Sequence, residues 1–176
     1  EVTVAQRSTA KMVSYGLAYG MEAYGLGQRL SIPTGEAQVI LDAYFEGFPN
    51  VRAYMEGAVA DAREKGYTET LFGRRRQIPE LASRVRAVRQ AGERQAMNAG
   101  IQGLAADIFK LALVRLDRGL EDRGGTSRLI LQVHDEVVLE VPPADEAEIT
   151  AVVLDAMSGA FDLAVPLEVN LAFGDT

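Results

Sequence analysis

The chain has no cysteine. Disulfides and thiolate-bound zinc are therefore excluded, and the composition suits a reducing compartment. It has one histidine, His134, so a metal site built from several histidines of this chain is excluded as well. No apolar run approaches the roughly 20 residues of a membrane span, and no membrane partner is expected. Residues 1–12 are polar and mixed and do not read as a signal peptide. Internal repeats and low-complexity tracts are missing too. The first residue is Glu1 rather than methionine, which leads us to expect a piece excised from a longer protein.

What is present is ordinary for a globular chain. Its 176 residues suggest one unit or two small subdomains, long enough to bury roughly 70% of the unfolded surface. Apolar residues make up 48% and charged residues 24%, both usual values. The net charge of −7 argues globally against nucleic acid as a partner. The distribution weakens that objection: Arg74, Arg75, Arg76, Arg84, Arg86, Arg89 and Arg94 face only Glu80 and Glu93 over the same span. A basic surface on an acidic protein can still hold phosphates, because charges are screened beyond about 8 Å at physiological salt.

Periodicity and punctuation predict a helix over about 5–22, a break at Ser31–Gly35, and a helix over 35–47 capped by Thr34. Asn50 caps a further helix over 51–65, ended by Gly66. Residues 67–78 read as a hairpin turning near Gly73. Ser83 caps a helix to about Ala99, Gly100 and Gly103 flank a bend, and a long helix follows over about 104–120. Strands at 128–133 and 136–141 meet at a tight turn at His134-Asp135. A helix over about 144–159 and a last strand over 166–173 complete an α+β layout, with a mostly helical N-terminal half.

Three constellations can carry chemistry. In LQVHDEV, Asp135 at a hairpin tip projects where a metal can be met, and Mg²⁺ takes one or two carboxylates together with waters and phosphates. Equally, aspartate is a favoured turn residue that needs no ligand. On the first helix, Arg7, Lys11, Tyr15 and Tyr19 follow one another at intervals of four, a stripe that winds by about 40° per step. Cations can meet phosphates and an aromatic face can stack on a base; alternatively the cations are solvated and the tyrosines are core. In ERQAMNAGIQG, Arg94, Asn98 and Gln102 share a helical face, where Arg and Gln can donate to minor-groove acceptors or simply face water. GRRRQIP can touch a phosphate backbone nonspecifically, or only solvent.

In this order the motifs resemble the family A DNA polymerases of the bacterial DNA polymerase I type. The first helix is similar to that family's nucleotide-binding pattern, Arg-x3-Lys-x7-Tyr-Gly, at Arg7, Lys11, Tyr19 and Gly20. GRRRQIPEL and ERQAMNAGIQGLAADIFKLA resemble the segments that follow, LQVHDEV the palm hairpin, and PLEVNLAFG a strand near the end of such enzymes. The resemblance implies a fingers subdomain over 1–88 and the C-terminal part of an antiparallel palm sheet, covered by helices, over 89–176. It implies that Arg7 and Lys11 bind the incoming dNTP, that Tyr15 packs on its base and sugar, and that Tyr19 sits by the templating position. Arg94, Asn98, Gln102 and Gln132 would probe the primer-template minor groove, with His134 near the primer terminus. Asp135 would hold Mg²⁺ in a two-metal mechanism, supported by Glu136, and these two residues with Lys11 would form the catalytic set. In family terms, tyrosine rather than phenylalanine at Tyr15 goes with easier acceptance of nucleotides lacking a 3′-hydroxyl.

The largest departure is that EVTVAQ, before Arg7, cannot be the family's upstream palm strand with its second catalytic aspartate. The resemblance thus implies a DNA-directed DNA polymerase that is cytoplasmic and nucleoid-associated when whole. The 176 residues alone are expected not to polymerise, and to self-associate through the sheet edge the missing strand leaves exposed. The rival readings are a nucleic-acid- or nucleotide-binding module without catalysis, and a helical scaffold.

Overall fold

The computed structural model describes residues 2–174. They form two compact units, Glu1–Gly103 and Leu104–Thr176, whose outermost residues Glu1, Asp175 and Thr176 lie outside the described residues. The division falls within one long helix.

The first unit is mainly helical. Helix α1 (Val4–Ala18) starts at a capping box, in which the Thr3 hydroxyl accepts from the Gln6 amide at 3.2 Å and the Gln6 side chain accepts from the Thr3 amide at 2.9 Å. It stops before Tyr19, earlier than its apolar spacing predicts. Gly20 takes φ +68°, its N–H bonds to the Leu17 carbonyl, and the Met21 N–H bonds to the Gly16 carbonyl. This is a Schellman ending, which favours glycine at the left-handed position. Helix α2 (Ala23–Leu30) follows. Its Gly25 and Gly27 hide it from a propensity reading, yet Leu26 is buried and Gly27 lies against the Ile32 backbone. Helix α3 (Thr34–Gly47) begins at Thr34 itself, with Pro33 at the cap position. Val13, Leu17, Ala23, Leu26, Ala37 and Leu41 make the first core.

Helix α4 (Pro49–Lys65) uses Pro49 as its first residue, where the missing N–H costs nothing, and ends at Gly66 with φ +78°. Strands β1 (Tyr67–Glu69) and β2 (Arg75–Gln77) pair antiparallel, Thr68 opposite Arg76, around Gly73. A short 3₁₀ turn, Pro79–Ala82, leads to helix α5 (Arg86–Arg123). Val59, Ala62, Ile78 and Ala96 form a second core.

Helix α5 runs without the bend predicted at Gly100 and Gly103. These glycines serve close packing instead. A Cβ on Gly100 would stand 2.9 Å from the Tyr54 hydroxyl, and one on Gly103 would stand 2.7 Å from the Thr70 methyl.

In the second unit Gly124 and Gly125, both at positive φ, end α5. Strands β3 (Arg128–Val133) and β4 (Glu136–Glu140) form an antiparallel hairpin, with a register irregularity between Leu129 and Leu131. A 3₁₀ turn (Pro143–Asp145) precedes helix α6 (Glu146–Ser158). Leu116 and Leu120 of α5 and Ile149, Val153 and Ala156 of α6 are buried against Leu129, Val137, Leu139 and Val141 of the hairpin side. Arg123 ties the unit together, pairing with Asp145 and Glu148 at 2.9 Å each; these carboxylates, Glu148 foremost, raise its already high pKa. The last predicted strand does not form: residues 166–173 join no ladder. Apolar alternation makes a strand only against a partner edge, and the described residues pair none with it. The architecture is α+β, mostly helical with two small antiparallel hairpins.

Candidate nucleotide and nucleic-acid interface

Helix α1 carries the first candidate set, and its burial decides between the two readings of its aromatics. Val13, Gly16 and Leu17 face the core, so the opposite stripe must face outward. Arg7 and Lys11 are exposed, and Tyr15 and Tyr19 are 57% and 56% exposed. The tyrosines are therefore not core residues. An exposed tyrosine leaves apolar ring surface in water, a cost that a stacking partner would remove. The Lys11 ammonium lies 5.5 Å from the Tyr15 ring centroid, within cation–π range. Two cations and two open aromatic faces thus form one winding polar and stacking surface.

The end of α1 docks onto α5. The Tyr19 hydroxyl accepts a hydrogen bond from the Gln102 amide nitrogen at 2.9 Å. The aliphatic stem of Arg94 passes so close to Gly20 that a Cβ there would stand 2.7 Å from its Cγ. Arg94 and Gln102 are exposed and Asn98 is half-buried, three side chains along one continuous helix. Two sets that the sequence suggests separately, the α1 stripe and the α5 row, therefore adjoin within the first unit. Nothing in the sequence announces this contact, since Tyr19 and Gln102 stand 83 positions apart. A cleft of about 230 Å³ continues from Gln102 along Thr68, Thr70, Arg74 and Arg76.

The arginine run is less available than its charge suggests. Arg75 pairs with Glu69 and stacks over the Tyr67 ring at 4.7 Å. Arg76 donates to the Gln95 side chain at 3.1 Å.

In the second unit the β3–β4 turn places the other set. His134 adopts φ +54°, a left-handed conformation that closes the two-residue turn. Gln132 donates to the His134 carbonyl at 2.6 Å, so its amide braces the turn. The carboxylates of Asp135 and Glu136 project from the turn, exposed, and make no hydrogen bond or ion pair with the described residues. A turn-forming aspartate would bond to neighbouring backbone amides; Asp135 does not. Among the described residues no group of three or more His, Asp or Glu side chains is placed to hold a metal ion.

An exposed cationic and aromatic helix face beside a row of amide and guanidinium donors is a candidate surface for a nucleotide or a nucleic acid. The family model for DNA polymerase family A matches residues 1–176. The chain belongs to DNA polymerase family A. It is 51% identical over 174 residues to DNA polymerase I of Mycobacterium bovis, covering 99% of this chain and 19% of that protein. It is 47% identical over 169 residues to the thermostable DNA polymerase I of Thermus aquaticus, covering 96% of this chain and 20% of that protein. Among solved structures it matches the POL domain of Pol1 from M. smegmatis, in complex with DNA primer-template and dNTP, with TM-score 0.93 and 50% identity, over 96% of this chain and 30% of that one. The chain thus spans about a fifth of the length of the curated relatives it matches. No helix among the described residues is long and apolar enough to cross a membrane.

Proposed function

We propose that the protein is a DNA-directed DNA polymerase, adding dNTPs to a primer 3′-hydroxyl under template direction. The observation that carries this reading is the exposed α1 stripe, Arg7, Lys11, Tyr15 and Tyr19, docked through Tyr19 onto the α5 row of Arg94 and Gln102. In the reaction the primer oxygen bonds to the α-phosphorus, the bond to the bridging oxygen breaks, and pyrophosphate leaves. Arg7 and Lys11 compensate the charge of the triphosphate and of the departing pyrophosphate. The Tyr15 ring packs on the base and sugar of the incoming nucleotide, and Tyr19 stands at the templating position. Arg94, Asn98, Gln102 and Gln132 test the minor groove of the primer-template, where acceptors recur in every pair and sequence is not read. His134 lies by the primer terminus.

Family A DNA polymerases are metal-dependent in general. The donor set here suits magnesium: Asp135 offers an exposed, unpaired carboxylate on a fixed turn, with Glu136 next to it. Magnesium bound there would supply charge neutralisation at the phosphates and a lowered pKa at the primer hydroxyl. One such turn is part of a two-metal site, not the whole. The isolated 176-residue polypeptide is accordingly expected to bind primer-template in a salt-dependent way without extending it. Its exposed apolar hairpin residues Ile130, Leu131, Val133 and Val138 support self-association of that polypeptide. A whole enzyme of this kind works in the cytoplasm, at the nucleoid.

Single-turnover incorporation by the full-length protein tests the reading. Asp135→Asn should slow incorporation by about a hundred- to a thousandfold, the scale for loss of a group that stabilises transition-state charge, while primer-template affinity stays near wild type. Incorporation at the wild-type rate would overturn the assignment.

A further inference from the structure

The Tyr19–Gln102 hydrogen bond joins a ring on the nucleotide helix to an amide on the groove-facing row, at 2.9 Å. An amide end has a donor side, NH₂, and an acceptor side, C=O. Minor-groove acceptors need the donor side, and the carbonyl side would repel them. The Gln102 side chain is exposed, so packing does not settle which side faces outward. The Tyr19 hydroxyl oxygen accepts one of the two amide hydrogens. The second remains free, about 120° away in the same plane, as amide geometry fixes it.

We propose that Tyr19 is a positioning residue for Gln102: its hydroxyl orients the amide so that the remaining N–H points to a groove acceptor. This rests on the polymerase reading above and adds a role for the Tyr19 hydroxyl apart from its ring. Tyr19 sits at the C-terminal end of α1, on a Schellman turn anchored by Gly20 against Arg94. Any shift of α1 therefore moves the hydroxyl that aims the probe. Inspection of the finished base pair becomes coupled to the position of the nucleotide helix.

The test uses the full-length protein and primer-templates in which one purine at a time, through the pairs nearest the primer terminus, is replaced by its 3-deaza analogue. That analogue has no N3 acceptor and pairs normally. For each variant the readout is the ratio of extension rates on normal and 3-deaza substrate, which cancels any general loss of activity. Wild type should show a penalty at one position, and Gln102→Ala should abolish it. Tyr19→Phe keeps the ring and should shrink the penalty by roughly fivefold, the worth of one ordinary hydrogen bond. An equal penalty in wild type and Tyr19→Phe, with none in Gln102→Ala, overturns the positioning role and leaves the groove-reading role of Gln102 standing. No penalty at any position in wild type overturns both.

Discussion

At position 15 a single hydroxyl separates two chemistries. Tyr15 is exposed beside Lys11; under the proposed reading its hydroxyl would supply a hydrogen bond near the phosphates when a nucleotide has none at its 3′ position. Tyr15→Phe should therefore raise discrimination against dideoxynucleotides by about tenfold or more, as for the loss of one charge-assisted hydrogen bond. Chain-termination assays on both proteins check this, and equal discrimination contradicts it. Tyr54 is a purely structural counterpart. Although 42% exposed, Tyr54 is partly buried, and this raises its phenol above the ordinary value, so the unfolded chain ionises first as pH rises. Its contribution to stability is present below about pH 10 and is lost as pH climbs through the folded value. Tyr54→Phe should flatten that alkaline decline in denaturant titrations; an unchanged slope would show that other groups cause it. The stripe of Arg7, Lys11, Tyr15 and Tyr19 was legible as a spacing, but spacing left the tyrosines open between core and surface, and only their exposure in the fold decides for surface. The state of the arginine run was not legible, because Glu69 and Gln95 reach Arg75 and Arg76 only through the fold.

Elements were legible where the signal is local. The hairpin around Gly73 and the β3–β4 turn follow from alternation and turn residues. Helix α2 was hidden by its glycines, which tertiary packing tolerates. The predicted break at Gly100 and Gly103 failed for the converse reason: a helical glycine also marks a close neighbour, here Tyr54 and Thr70. Gly20 is a true stop, and its substitution is the sharpest test at this scale. Gly20→Ala meets both a left-handed φ and the Arg94 stem. It should cost about 1–3 kcal/mol and loosen the α1–α5 docking, seen as lower thermal stability and weaker dNTP binding. In the second unit Leu116 is fully buried between α6 and the hairpin, and Leu116→Ala should cost about 2–5 kcal/mol in chemical denaturation. A loss below about 0.5 kcal/mol at either position would contradict the packing described, since surface substitutions usually stay within that range.

The whole molecule consists of two units, each with its own core. The α1 stripe and α5 row belong to the first, and the Asp135 turn to the second. The α+β class was legible from the order of elements. The strand predicted at 166–173 does not form, because pairing is a property of two segments and alternation belongs to one. That Asp135 holds the magnesium of the reaction is the central proposal. Iron(II) can take the place of magnesium and, with peroxide, cleave the backbone next to wherever it is bound. With primer-template and dNTP present, the full-length protein should be cut around residues 134–136, and Asp135→Asn should lose that cut. No cleavage around residues 134–136, or a cut there that persists in Asp135→Asn, would contradict the proposal.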